Sequence, residues 1–275
     1  MTNLTNHHNF TANQPLVTII TIVYNGEEFL KYCIDSIRNQ TYKNIEYIII
    51  DGGSTDGTLD ICEQNKDIIS VLISEKDRGI SDAFNKGIKL ASGKIIGILN
   101  SDDFYAPSAV KSVVDKYIEN SCEPCVLYGD IRYFNEEVNY ELIPDIKSIW
   151  KYMSIFHPAV FVCKFVYEKI GVFSEEFKYA MDVELLHRAL FYKVPFVYIN
   201  QTLTNFRLGG TSGVNYKGSY KEFYKSVKMY NNFPMARYYY YLGICKKFIL
   251  TTKIGKFLLT KRRLINVFLS GKGKT

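Results

Sequence analysis

Four largely apolar runs, Leu16–Val23, Ile45–Ile50, Ile68–Ile73 and Lys94–Leu99, divide the first hundred residues. They are rich in Ile and Val and do not alternate with polar residues, the pattern of strands buried on both faces. Between the first two, Phe29, Leu30, Cys33, Ile34 and Ile37 recur at helical spacing, which predicts a helix from Glu27 to about Asn39. A short helix after Gly57 and another from Ile80 to Ala91 fill the remaining gaps. Strands alternating with helices imply βαβ units, a mostly parallel sheet and right-handed crossovers.

The second half is less regular. Val126–Phe134 and Val138–Leu142 read as strands, expected to pair antiparallel; Lys164–Ile170 and Asp182–Tyr192 read as helices; Phe196–Ile199 reads as a return to the sheet. Nothing between the halves has the composition of a linker. The expected organisation is a disordered polar tail over residues 1–14, one α/β domain over 15–232, and a helical appendage over 233–275.

Each early strand stops on polar residues: Tyr24-Asn25-Gly26, then Asp51-Gly52-Gly53-Ser54-Thr55-Asp56-Gly57, then Ser101-Asp102-Asp103. In parallel α/β sheets ligands collect at these carboxyl ends. Two adjacent carboxylates after a buried strand repel each other and lose hydration, so a cation between them is favourable. Mg²⁺ or Mn²⁺, held by one or two carboxylates and by phosphate oxygens, suits such a pair; a capping turn needs no ligand at all. A carboxylate at Asp51 could accept from the imide N–H of a base, whereas Ser54 and Asp56 are explained as helix caps. Neither a GxGxxG nor a GxxxxGK[ST] pattern is present, so neither a dinucleotide nor a P-loop nucleotide is indicated.

Taken in order, PLVTIITIVYNGEEFLKYCIDSIRNQTYKNIEYIIIDGGSTDGT, SEKDRGISDAFNKGIKLASGKIIGILNSDD, HPAVFV and MDVELLHRAL resemble the family 2 glycosyltransferases of the GT-A fold, in particular bacterial enzymes that build surface polysaccharides. The resemblance covers about residues 15–212. It implies a Rossmann-like, mostly parallel sheet and an inverting transfer of a hexosyl or N-acetylhexosaminyl group from a nucleotide-diphosphate sugar, expected to be a UDP-sugar. It implies that Tyr24, Asp51 and Asp77 line the base pocket, that Asp102 lies near the ribose, and that Asp103 binds Mn²⁺ or Mg²⁺. Asp182 matches the catalytic base, with Met181 standing where the family pattern has an acid or Gln, and Glu184 is the rival. His157 is placed to face the acceptor or diphosphate, and Arg207, before Gly209, Gly210 and Gly213, to clamp the diphosphate. Read as bare residues, Asp182 is equally a first-turn helix acid, His157 a structural His, and Arg207 a loop charge.

Charge adds one feature. Of 34 Lys/Arg and 28 Asp/Glu, ten bases and no acids fall in residues 234–275, so that segment carries +10 and the rest −4. On a helical wheel Leu250, Ile254, Phe257, Leu258, Ile265 and Phe268 share one arc and Lys246, Lys253, Lys256 and Arg263 another, with Lys247 and Lys261 intruding on the apolar side. Aromatic, apolar and basic residues in this arrangement suit a helix on an anionic membrane surface; packing on the same chain is the competing reading, and no nucleic-acid motif accompanies the charge. No stretch is long enough to span a bilayer, and residues 1–14 lack the apolar core of a leader. The expected location is cytoplasmic and peripheral, on the inner face of the membrane, with a glycan or polyprenyl-diphosphate-linked acceptor. The six cysteines show no zinc spacing and read as reduced thiols. A sugar-1-phosphate nucleotidyltransferase and a non-catalytic sugar-nucleotide-binding protein stay open as alternatives at this level.

Overall fold

The computed structural model describes residues 14–134, 139–207, 215–231 and 233–251. β1 (Val17–Val23), β2 (Ile45–Asp51), β3 (Val71–Ser74) and β4 (Ile95–Asn100) form a parallel block in the order β3-β2-β1-β4. In β1, β2 and β4 nearly all Ile and Val side chains are buried, which is why those runs show no alternation; β3, at the edge of the sheet, is only partly covered, with Leu72 exposed, contrary to its apolar sequence. α1 (Leu30–Arg38) covers the sheet with Leu30, Cys33, Ile34 and Ile37; α3 (Ile80–Leu90) does so with Ala83, Phe84 and Ile88; α2 (Thr58–Gln64) is a shorter crossover. β3 starts later than the Ile68 expected, because Ser70 is spent bonding to Tyr47 before the ladder begins.

Beyond β4 the sheet turns back. β5 (Phe104–Tyr105) is followed by α4 (Ala109–Glu119), β6 (Val126–Phe134), β7 (Asn139–Leu142) and β8 (Val160–Cys163), then α5 (Lys164–Ile170), α6 (Met181–Phe191) and β9 (Phe196–Arg207). The path continues β4-β8-β6-β9-β5, with β7 hydrogen-bonded to β6. β6 and β7 pair antiparallel, as expected. Three residues join β4 to β5, although β8, β6 and β9 lie between them in the sheet. Those three residues bridge about 14 Å at full extension. Four interstrand steps of a flat sheet would cover about 19 Å, so the sheet has to curl. A bulge where Asp130 and Ile131 meet Thr202 and Thr204 bends β6 and β9 into that curl.

α7 (Tyr216–Tyr230) lies across α6, and α8 (Ala236–Thr251) packs on α7. The α8 helix thus contains the first part of the basic segment and touches the body of the chain through α7. The arc expected at Ile254–Phe268 lies outside the described residues.

Candidate active site

The register brings the parallel strands to one level: Val23 pairs with Asp51, Asp51 with Ser74, and Ile22 with Asn100. One step beyond that row stand Tyr24, Gly52 and Ser101, so the loops after β1, β2 and β4 open on one surface.

Two of these loops are laced together. The backbone N–H groups of Asn25, Gly26 and Glu27 donate to Ser54 Oγ (2.8 Å), Thr58 Oγ1 (2.9 Å) and Asp56 Oδ2 (3.1 Å). In return the N–H groups of Thr55 and Gly57 donate to Asn25 Oδ1 (2.9 Å) and Glu27 Oε2 (2.7 Å). The turn formers after Asp51 therefore serve a second strand end as well as their own helix. Asp51 is fully buried beneath this lacing, and its carboxylate accepts from Gly53 N, Ser54 N, Ser54 Oγ and Ser74 Oγ. With four donors around it Asp51 shapes the loop, and it has no exposed oxygen to offer.

Tyr24, Gly52 and Asp77 meet at the surface beside this lacing. The Tyr24 side chain is 65% exposed. A Cβ on Gly52 would lie 2.7 Å from Asp77 Oδ2 and 3.5 Å from Tyr24 Cβ, so only glycine lets the Asp77 carboxylate close over the backbone there. Gly79 N–H holds the other Asp77 oxygen at 3.0 Å.

The two acids after β4 occupy different environments. Asp103 is 1% exposed and accepts from Arg207 N–H (3.0 Å) and Asn100 Nδ2 (3.2 Å), fastening the end of β9 to the end of β4. Burial, and then the charge of Asp102, push its carboxyl well above the usual range. Asp102 is half-buried, and among the described residues no donor from another residue reaches its carboxylate. Burial raises it too, and the nearby Arg207 partly offsets that. The Arg207 guanidinium sits over Phe29 (4.1 Å) and Phe134 (5.0 Å), with Nε buried and unpartnered. Arg207 is thus held beside the acids by stacking rather than by an ion pair.

Asp182 sits in the first turn of α6, where Val183 N–H donates to its carboxylate at 2.8 Å. It faces a small cavity lined by Ile98 of β4, Val160 and Val162 of β8, Tyr167, Phe173 and His157. Desolvation in this apolar setting pushes the Asp182 carboxyl up to about 6. His157, in a 3-10 turn before β8, packs on Phe84 (5.4 Å) and is held neutral, its pKa lowered by burial to about 4. Its Nε2 is buried without a partner, which leaves an unspent polar atom at the cavity beside Asp182. Glu184, the rival, is otherwise engaged: 2% exposed, it takes Tyr230 Oη at 2.6 Å and Arg188 at 2.9 Å.

Sequence reasoning overlooked β8, which carries the quoted HPAVFV segment and lies next to β4 in the sheet. It also overlooked α4, although Val110, Val113, Val114 and Tyr117 show plain helical spacing. Arg78 and Lys86 lie in an ion network with Asp82, Glu75 and Glu175.

The profile described as glycosyl transferase family 2 matches residues 18–161, more than half of the chain. The chain belongs to glycosyl transferase family 2. An uncharacterized glycosyltransferase of Rickettsia prowazekii is 31% identical over 203 residues, covering 68% of this chain and 61% of the relative, so the chain spans less than two thirds of that protein. Among solved structures, TarS of S. aureus in complex with UDP-GlcNAc superposes with a TM-score of 0.62 at 16% identity, over 78% of this chain and 67% of the other. The mannosyltransferase PcManGT of Pyrobaculum calidifontis, in complex with GDP-Man and Mn²⁺, gives 0.57 at 16% identity, over 92% and 81%. The mixed α/β family 2 chain therefore has the GT-A architecture. The family profile ends at residue 161, short of both Asp182 and Arg207.

Proposed function

We propose that this family 2 chain is an inverting glycosyltransferase that takes its sugar from a nucleotide-diphosphate donor, a UDP-sugar, and places it on a lipid-linked or oligosaccharide acceptor of a surface polysaccharide. The observation that carries the reading is the placement of Asp182. A desolvated carboxyl near pKa 6 lines a cavity shared with β4, and four residues beyond the Ile98 that lines it stands Asp102, open on the donor side. Two acids with different surroundings at one strand end suit a division of labour between proton transfer and phosphate binding.

Where Tyr24, Gly52 and Asp77 meet, a planar base would lie with exposed Tyr24 against its face and Asp77 accepting from an imide N–H, which uracil presents. Asp102 takes over the metal role expected of Asp103, whose oxygens are already bonded within the protein. Among the described residues no cluster of three or more His, Cys, Asp or Glu could hold a metal by itself. One carboxylate completed by the donor's phosphates is how Mg²⁺ and Mn²⁺ are usually held, so the residues fit such an ion. A divalent ion there would supply charge neutralisation at the departing diphosphate. Arg207, stacked between Phe29 and Phe134, adds a fixed positive charge on the same side. Asp182 removes the proton from the acceptor hydroxyl as its oxygen attacks the anomeric carbon. The bond from that carbon to the phosphate oxygen breaks on the opposite face, and configuration inverts. His157 Nε2, buried and unpartnered, would orient the acceptor hydroxyl.

The acceptor reading also draws on the surface around α7 and α8. Lys221, Lys228 and Arg237 lie among exposed Met229, Met235, Tyr238 and Tyr241, a mixture that suits an anionic lipid surface. No helix among the described residues is long and apolar enough to cross a membrane. Isothermal titration with UDP, GDP and CDP, with and without Mn²⁺, tests the donor assignment. Metal-dependent binding of UDP that is lost in Asp102→Ala is expected. Binding of none of the three would overturn the donor reading.

A further inference from the structure

α6 begins at Met181 with no side chain of its own segment capping it, yet the preceding backbone is tied down from another helix. Glu222, on α7, accepts from the N–H groups of Lys178 (3.0 Å), Tyr179 (2.8 Å) and Ala180 (2.9 Å), the three residues just ahead of α6. Charge-assisted bonds from three consecutive amides to one carboxylate are strong and directional, and a negative charge ahead of a helix N-terminus is favourable.

Glu222 belongs to a longer clamp. Gly218, one turn earlier, lies so close to Tyr179 that a Cβ there would come within 2.7 Å of the ring. One turn later Lys225 covers the Phe177 ring (4.6 Å) and reaches Glu176 (3.1 Å), while Ser226 Oγ meets His187 Nδ1 (2.8 Å). Another turn on, Tyr230 bonds to Glu184. These positions recur every three to four residues, so one face of α7 grips the segment from Glu176 to His187. Asp182 stands in the middle of it.

We propose that Glu222 is a positioning residue for Asp182: through the Lys178–Ala180 backbone it fixes where the first turn of α6 presents that carboxylate to the acceptor. The inference rests on the reading of Asp182 as the base. Glu222 also faces Asp182 with a like charge and helps keep its carboxyl basic. The other ionisable groups around Asp182 are His157, neutral in its turn before β8; Tyr167 on α5; and Glu184 on the same helix, already paired with Arg188.

The test uses the full chain with Glu222→Gln, Glu222→Ala and Asp182→Asn. It measures UDP affinity in Mn²⁺, UDP release from a panel of UDP-sugars, and hydrogen exchange at the amides of residues 178–180. Glu222→Ala should speed exchange at those amides by at least about tenfold, the loss of one strong bond's protection. It should lower kcat by about 10–100-fold, the range for a misplaced catalytic group, with UDP affinity unchanged. Glu222→Gln keeps the shape without the charge, and should lose less turnover while moving the acid limb of kcat/KM to lower pH. Unchanged exchange, or full turnover in Glu222→Ala beside an inactive Asp182→Asn, would overturn this inference alone. Full turnover in Asp182→Asn would overturn the reading of the base and this inference with it.

Discussion

The pH dependence of turnover is where burial of the base should show most directly. A solvent-exposed aspartate titrates near 4, so between pH 7 and pH 5 it would stay ionised and contribute almost no change in rate. Desolvation among Ile98, Val160, Val162, Tyr167 and Phe173 moves Asp182 to about 6. At that value about nine-tenths of the chains carry the ionised base at pH 7 and about one-tenth at pH 5, so kcat/KM should fall about tenfold over the interval. Below pH 6 the slope should approach one decade per unit. Asp182→Asn, which keeps size and the Val183 contact but cannot take a proton, should lower turnover by the ~10²–10⁴-fold of a lost general base and leave UDP affinity intact. The assay is UDP release from the donor at saturating Mn²⁺, with far-UV circular dichroism confirming a folded protein at each pH. A wild-type profile flat to pH 5, or Asp182→Asn within a few-fold of wild type, would refute the reasoning.

Asp103→Ala should act on stability rather than on metal dependence. It leaves the Arg207 N–H and Asn100 Nδ2 donors without their acceptor beside a buried gap, so the thermal midpoint should drop by the equivalent of about 1–3 kcal/mol while Asp102 still confers Mn²⁺-dependent UDP binding. His187 is fully buried between Ser226 Oγ and the Ile149 carbonyl (3.0 Å), stacked on Trp150, and burial lowers its pKa to about 4. The unfolded chain therefore binds this proton first as pH falls, so the stability present above about pH 6.5 is lost progressively toward pH 4. Denaturant titrations should show about 2 kcal/mol of such loss from His187 between pH 7 and 4.5, and a smaller loss in His187→Gln. Deleting residues 238–275 should abolish co-sedimentation with anionic vesicles and leave neutral vesicles unaffected; unchanged co-sedimentation would remove the membrane reading.

The central strands were legible because a strand buried on both faces has no choice but to be apolar, and β1, β2 and β4 lie within a residue or two of their expected bounds. β9 runs on from Ile199 to Arg207 because polar residues such as Thr202, Thr204 and Asn205 pair beyond the bulge, and an alternating stretch gives a weaker signal than a solid one. Within the candidate site, residue type singled out the loops at the strand ends but not which of their atoms are left free. Asp51 and Asp103 stand at the expected strand ends, yet their oxygens face inward, and only the hydrogen-bond partners reveal it. Asp182 and its neighbour Glu184 are two residues apart in sequence and differ entirely in what surrounds them. Glu222 left no mark in the sequence, because its partners are backbone N–H groups some forty residues away and such a contact requires no particular side chain from them.

The hydrogen bond from Arg207 N–H to Asp103 closes a loop of more than a hundred residues, across the seam where the curled sheet returns to β4. The carboxylate next to Asp102 is thereby the fastener of the whole circuit. Contacts that distant in sequence form late in folding, so the loop that carries Asp102 and Asp103 is fastened only once the final strand has docked. It follows that occupancy should be felt by the entire domain. A donor held at Asp102 would strengthen the seam itself, and the protein should resist global unfolding and proteolysis in proportion to ligand concentration.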